Sequence, residues 1–145
     1  MNRSTRLEPF ARLADQRQQG AARSLQASRE ELVHYEARLG ELKAYRSEYA
    51  ERLNQLGKTG SSATHIKRFL DFIGQVDEGV RQLESLIALT RGRFDQHREE
   101  WLAARSRFRV LDEVLTRARR EEDRNRLRSE QRESDDRTSQ APRAR

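Results

Sequence analysis

Apolar residues recur at every third or fourth position along the second half of this 145-residue chain. Between residues 66 and 118, fourteen of the sixteen positions with this spacing are apolar, although only 34% of the chain is hydrophobic. The sixteen positions are Ile66, Phe69, Ile73, Val76, Val80, Leu83, Ile87, Thr90, Phe94, His97, Trp101, Ala104, Phe108, Leu111, Leu115 and Ala118. Such spacing, sustained over about seven heptads, is typical of a helix that packs in a coiled coil.

The first half of the chain carries a matching but weaker stripe. Its members are Leu7, Ala11, Ala14, Gln18, Ala21, Leu25, Ser28, Leu32, Tyr35, Leu39, Leu42, Arg46, Tyr49, Leu53 and Leu56. Thr5 and Glu8 have the spacing of a capping box, and Pro9 is tolerated near a helix start. We therefore expect a first helix over about residues 5–56.

A connection rich in glycine and serine separates the two stripes. It covers about residues 57–63 and contains Gly57, Gly60 and two serines. A second helix is expected over about residues 64–120. Because the connection is short, the two helices should form an antiparallel hairpin.

Pairing the helices so that residue numbers sum to about 122 places small residues opposite large ones. Ala14 then faces Phe108, and Ala21 faces Trp101. This complementarity favours a hairpin within one chain, monomeric on its own, over a parallel dimer. The predicted fold is all-α: a long two-helix antiparallel coiled-coil hairpin over residues 1–120, followed by a charged tail, residues 121–145, that is frayed or disordered.

The chain is basic, with a net charge of +6 and a pI of about 10.4. An acidic partner is one interpretation, and arginine placed on solvated helix faces is the other. The second is favoured because lysine occurs only at Lys43, Lys58 and Lys67. Basic and aromatic residues are not interleaved as on a base-stacking surface, so nucleic acid is not an expected partner.

Composition also argues against catalysis and against a membrane span. There is no cysteine, and His34, His65 and His97 lie far apart in the sequence. We expect no catalytic residue, no metal site, no cofactor and no enzymatic activity. No apolar run approaches 18 residues, so no transmembrane segment is expected. The first 20 residues lack the apolar region of a secretory signal.

Several apolar residues fall outside the stripes. Tyr45, Phe72, Leu86 and Leu89 cannot all lie between two helices. Phe72, Gly79 and Leu86 recur every seven residues along one flank of the second helix. Either a wide contact between the helices covers these residues, or they form a strip that docks a partner.

The stretch Leu42-x-x-Tyr45-x-x-Glu48-Tyr49, the polar loop, Phe69-x-x-Phe72-Ile73 and Trp101 together resemble the FliJ family. This family comprises small coiled-coil proteins of the bacterial flagellar type III export apparatus, which serves motility. The resemblance covers nearly the whole chain. The injectisome counterpart of the same stalk protein is similar and stays an alternative, as do a generic coiled-coil scaffold and a nucleic-acid-binding arm.

The resemblance implies a non-enzymatic stalk, similar to the central stalk of rotary ATPases. Such a protein sits in the hexameric ring of the export ATPase and promotes ring assembly and ATP hydrolysis. It links the ring to the cytoplasmic part of the export gate, a membrane protein, and helps to recycle export chaperones. The expected location is cytoplasmic, peripheral at the inner face of the cell membrane at the flagellar base. By analogy, the end with both termini enters the ring and the loop end faces the gate.

The gate-facing surface of the family includes positions that match Leu42, Tyr45, Tyr49 and Phe72 in this chain. The flank described above extends this surface to Val76, Gly79 and Leu86. The chain departs from the expected residue types at Arg38, Val76, Gly79 and Leu83.

Overall fold

The computed structural model describes residues 2–140, which form two α-helices. Helix α1 covers Arg3–Thr59 and helix α2 covers Ala63–Gln140. Within the described residues there is no strand. The two helices pack against each other as an antiparallel hairpin, so the prediction of an all-α fold is confirmed.

Helix α1 begins two residues before the predicted start. The Arg6 N–H donates to the Asn2 carbonyl at 3.2 Å, which closes the first turn ahead of Thr5. Pro9 therefore lies inside the helix. Pro9 is the seventh residue of α1, so its ring removes the N–H that would otherwise donate to the Thr5 carbonyl.

The connection between the helices is shorter than predicted and has well-formed caps on both sides. Gly60 has a φ of 73°, and the Ser61 N–H donates to the Leu56 carbonyl at 3.3 Å. This pattern is a Schellman motif, in which glycine takes the left-handed conformation. Ser62 then caps α2 by accepting a hydrogen bond from the His65 N–H at 3.2 Å.

Helix α2 does not end near residue 120, as the sequence analysis placed it, but continues to Gln140. Residues 123–140 are exposed on all sides, so this extension is a single helix without a packing partner among the described residues. Arg126 lies 3.7 Å from Asp123 and 3.9 Å from Glu130, which are favourable neighbours on a helix surface. The predicted disorder of residues 141–145 lies outside the described residues.

The described chain divides into two compact units. The loop unit comprises residues 22–100, and the terminal unit comprises residues 2–21 together with 101–140. In the loop unit the buried apolar side chains are Ile73, Val76 and Ile87. Two small polar residues, Ser28 and Thr90, are buried with them, and the Thr90 hydroxyl donates to the Leu86 carbonyl at 2.7 Å.

The pairing of the helices in the loop unit agrees with the predicted register. Arg46 and Asp77 form an ion pair, and their numbers sum to 123. The ion pairs Lys43–Glu84 and Glu36–Arg91 have numbers that sum to 127. Helical side chains lean toward the N terminus of their own helix. In an antiparallel pair this lean moves the ends of facing side chains in opposite directions along the hairpin. Long side chains that touch therefore have residue numbers with a higher sum than residues whose backbones lie directly opposite each other.

The terminal unit has a core of smaller residues. Ala11, Ala14, Leu115 and Ala118 are its buried apolar side chains. Close to the start of α1, the Ser4 N–H and hydroxyl both donate to the Glu122 carboxylate, at 3.0 and 2.6 Å. Alanine on both helices lets their backbones approach closely.

The predicted stripes match the observed burial. All sixteen stripe positions of α2 are buried or half-buried. In α1 the same is true at every stripe position except Arg46, which is exposed and pairs with Asp77 across the hairpin at 2.6 Å. The heptad pattern therefore identified the helix contact almost completely.

Candidate partner-binding surface

A cluster of aromatic rings lies on the loop unit, close to the turn between the helices. The Tyr49 ring of α1 lies 4.4 Å from the Phe72 ring and 5.9 Å from the Phe69 ring, centroid to centroid. The His65 ring lies 5.3 Å from the Phe69 ring in an edge-on arrangement. The two Tyr49 contacts join the helices through rings, whereas the His65–Phe69 contact lies within α2.

The rings line a shallow groove, which we call the aromatic groove. Its lining residues are Tyr49, His65, Arg68, Phe69 and Phe72. Phe72 is 40% exposed. The Arg52 guanidinium lies 5.4 Å from the Tyr49 ring, within range of a cation–π contact. The groove therefore offers apolar faces with cationic neighbours.

A second groove of the loop unit, the glycine groove, lies farther from the turn. It is lined by Arg38, Leu42, Gly79, Gln82, Leu83 and Leu86. A methyl group built on Gly79 would lie 3.5 Å from Leu42 Cδ1, so the bare backbone of α2 faces Leu42 at this point. The absence of a side chain at Gly79 helps to form the depression.

The sites predicted from the sequence fall into four structural settings. Tyr49 and Phe72 meet in the aromatic groove, while Leu42, Gly79 and Leu86 meet in the glycine groove. Tyr45 is 54% exposed and lines neither groove. Val76 is only 9% exposed and belongs to the core. A role for Val76 would therefore act through packing rather than through direct contact.

An ion pair lies beside the glycine groove. Next to Gly79, the Glu78 carboxylate accepts a hydrogen bond from Arg81 Nη2 at 2.7 Å. That hydrogen bond and the positive charge of Arg81 lower the pKa of Glu78 below its ordinary value of 4.5. The same contacts raise the pKa of Arg81. Glu78 therefore stays ionised at neutral pH.

Sequence reasoning missed the contribution of His65 and Arg68 to the aromatic groove. His65, Phe69 and Phe72 are spaced by four and three residues, which places them on one face of α2. That spacing is visible in the sequence. The spacing alone does not reveal the groove, because the groove forms only where this face of α2 lies beside Tyr49 of α1.

The described residues contain no feature that suggests metal chemistry or a bilayer span. Within residues 2–140, no group of three or more histidine, aspartate or glutamate side chains is arranged to hold a metal ion. Neither helix, over the same residues, has an apolar stretch of the length needed to cross a membrane.

A profile of the flagellar FliJ proteins matches residues 3–145, which is essentially the whole chain. The chain belongs to the FliJ family. A search of curated proteins and a search of solved structures each gave no match. Membership confirms the resemblance drawn from the residues between Leu42 and Trp101, and it favours the flagellar interpretation over the injectisome counterpart.

Membership in the FliJ family implies a component of the flagellar protein export apparatus. The family comprises non-enzymatic, structural and chaperone-like components. The partners that the family suggests belong to the same apparatus. The two-helix hairpin of the described residues agrees with a coiled-coil role in this setting.

Proposed function

We propose that this protein is a stalk-like adaptor of flagellar export, which stimulates the export ATPase and connects it to the export gate. It promotes assembly of the hexameric ATPase ring and helps to recycle export chaperones. In this role it works as a monomeric hairpin, in the cytoplasm and peripherally at the inner face of the membrane at the flagellar base. The observation that carries the proposal is a FliJ-type coiled-coil hairpin with an accessible aromatic groove.

The proposed mechanism for the ATPase is allosteric. A coiled coil that contacts the ring unequally favours some subunit conformations over others, and only such differential binding shifts a conformational equilibrium. We assign this contact to the terminal unit. In this mechanism the chain contributes no catalytic residue and no cofactor, and its effect on ATP hydrolysis comes from binding.

The contact with the cytoplasmic part of the gate is assigned to the loop unit. Leu42, Tyr45, Tyr49 and Phe72 are the proposed binding residues, and the surface extends to Gly79 and Leu86. Tyr45 and Phe72 are the most accessible aromatic side chains of this set. Exposed aromatic residues of this kind are enriched at the centres of protein interfaces.

The stalk proposal is tested by ATP hydrolysis of the purified cognate export ATPase, with and without this protein. Native mass spectrometry of the mixture gives the composition of the complex. The proposal expects faster turnover and a hexameric ring that carries one copy of this chain. If a helical, monomeric preparation neither stimulates the ATPase nor binds it, the stalk mechanism is wrong and a plain scaffold becomes the better interpretation.

The gate proposal is tested with Tyr45→Ala and Phe72→Ala. Both side chains are accessible, so we expect unchanged helicity by circular dichroism but a loss of gate binding of tenfold or more, about 1.4 kcal/mol, and loss of motility. Val33→Ala is the matched control, because Val33 is 57% exposed on the same unit and is not one of the proposed binding residues. Full gate binding by both aromatic variants would contradict the assignment.

A further inference from the structure

The two units differ in charge. The loop unit, residues 22–100, carries thirteen basic and thirteen acidic side chains. The packed part of the terminal unit, residues 2–21 with 101–122, carries ten basic and six acidic ones. The positive potential of the chain is therefore concentrated on this part of the terminal unit, and it would attract acidic partners there.

The same part of the terminal unit has an apolar groove, which we call the terminal groove. Its lining residues are Phe10, Leu13, Ala14 and Arg17 of α1, and Ala104, Arg107 and Leu111 of α2. Phe10 is 63% exposed and Leu13 is 45% exposed, whereas Ala14 is buried. Large apolar side chains thus stand at the edge of a groove whose floor is formed by both helices.

Two arginines border this groove. Among residues 2–140, neither Arg17 nor Arg107 has a carboxylate oxygen within ion-pair distance, so both guanidinium groups are available. Val110, one turn along α2 from Arg107, is 60% exposed and adds to the apolar surface nearby. The groove therefore combines an apolar floor with unneutralised positive charge.

We propose that the terminal groove binds an amphipathic helix of a partner protein, with an apolar stripe flanked by glutamate or aspartate. A groove between two helices accepts a third helix, whose apolar residues at positions i, i+3, i+4 and i+7 fill it. The basic border selects acidic flanks and disfavours basic ones. The inference goes beyond the proposed function, since it holds whether or not the ATPase is stimulated.

Two other occupants fit the groove less well. Nucleic acid would satisfy the arginines but would leave the aliphatic floor uncovered, because its affinity comes mainly from phosphates. The extension of α2 in a second copy of this chain carries Leu127 as its one large apolar residue in 123–140, so it lacks the stripe that would fill the groove. Both are distinguishable outcomes of the experiment below.

The experiment uses the full chain and a fluorescent synthetic helix of about 18 residues, with leucines on one face and glutamates on both flanks. One control peptide has lysine in place of every glutamate, and a second has serine in place of every leucine. Fluorescence anisotropy gives the affinities at low and high salt. We expect the acidic peptide to bind at least tenfold more tightly than either control, and more weakly at high salt.

Variants of the chain locate the binding. Phe10→Ala and Arg107→Glu should each weaken the acidic peptide by tenfold or more, while Leu89→Ala on the loop unit leaves it unchanged. Because all three side chains are exposed, circular dichroism should show the same helicity. The Arg107→Glu variant should in addition gain affinity for the lysine peptide, which loss of structure alone would not produce.

Three results would overturn the proposal. The first is equal binding of the acidic and lysine peptides, or no effect of Phe10→Ala. The second is a concentration-dependent dimer that Phe10→Ala abolishes, because the groove would then hold a second copy. The third is a labelled RNA that displaces the peptide and loses affinity in Arg107→Glu but not in Phe10→Ala.

Discussion

The loop unit and the terminal unit are formed by the same two helices but differ in their buried side chains and in their charge. The loop unit buries branched side chains such as Ile73 and Ile87, and its cross-helix ion pairs balance its charges. The terminal unit buries mostly alanine and has an excess of basic groups. One heptad pattern is therefore compatible with two kinds of core and two kinds of surface. The size of the stripe residues and the charge of the residues outside the stripe distinguish the units.

The difference also separates two kinds of candidate binding site. The aromatic groove is formed by rings that contact one another, so much of its shape is present before a partner binds. The terminal groove is bordered by Phe10 and Leu13, which have few neighbours in the chain. Binding of a partner would therefore immobilise more side chains in the terminal groove than in the aromatic groove, and would cost more conformational entropy there.

The largest expected effects come from emptying each core. Ile87→Ala in the loop unit and Leu115→Ala in the terminal unit each remove a side chain that is 5–6% exposed. Each should lower the free energy of unfolding by about 2–4 kcal/mol, because a cavity is left behind. Thermal and urea unfolding followed by circular dichroism measure the loss.

Hydrogen exchange then shows whether the two units respond separately. We expect Ile87→Ala to accelerate exchange mainly in residues 22–100, and Leu115→Ala mainly in 2–21 and 101–120. Leu89→Ala, at an exposed position, should cost less than about 0.5 kcal/mol. Uniform acceleration along both helices in each variant would mean that the units unfold as one.

The next largest loss of stability is expected from overpacking the core of the terminal unit. Ala118 is 3% exposed, so Ala118→Leu should destabilise the chain by about 1–3 kcal/mol. Ala103→Leu is the matched control, since Ala103 is exposed on the same helix. Equal unfolding midpoints for these two variants in urea would show that the helices of this unit do not pack tightly at Ala118.

A glycine-to-alanine pair sharpens the description of the loop unit. Gly79→Ala and Gly74→Ala should each stabilise the helix by up to about 1 kcal/mol, because neither methyl group meets a close clash. Only Gly79 lines the glycine groove, so only Gly79→Ala should weaken gate binding. Equal binding by both variants would remove Gly79 from the proposed site, and thermal unfolding reports the stability of each.

The smallest expected effect is a change with pH near the start of α1. Hydrogen bonds from the Ser4 hydroxyl and N–H lower the pKa of Glu122 below 4.5. Because the folded pKa is the lower one, the stabilisation is present above pH 4.5 and is lost as the pH falls through the folded pKa. NMR of the Ser4 amide should follow this change. Glu122→Gln should make the Ser4 signal insensitive over the same range.

The sequence predicted the helix contact well because a heptad repeat directly encodes a buried stripe. It gave no such stripe for the C-terminal part of α2, where Leu127 is the one large apolar residue and local ion pairs such as Arg126–Glu130 support the helix. The predicted binding residues Tyr49 and Phe72 do meet in the structure. The shapes of the grooves were not predictable from the sequence, because His65 and Phe10 line a groove only together with residues of the other helix.

The separation along the chain of residues that touch across the helices has a consequence for folding order. Arg46 and Asp77 are 31 positions apart, Glu36 and Arg91 are 55 apart, and Ser4 and Glu122 are 118 apart. Closing a longer loop costs more entropy, so contacts beside the turn should form first and spread outward as a zipper. On the ribosome, about 118 further residues must be synthesised before Ser4 can contact Glu122, which takes roughly 6–24 s at usual elongation rates. During that interval the start of α1 has no partner helix, and its apolar side chains stay exposed to solvent.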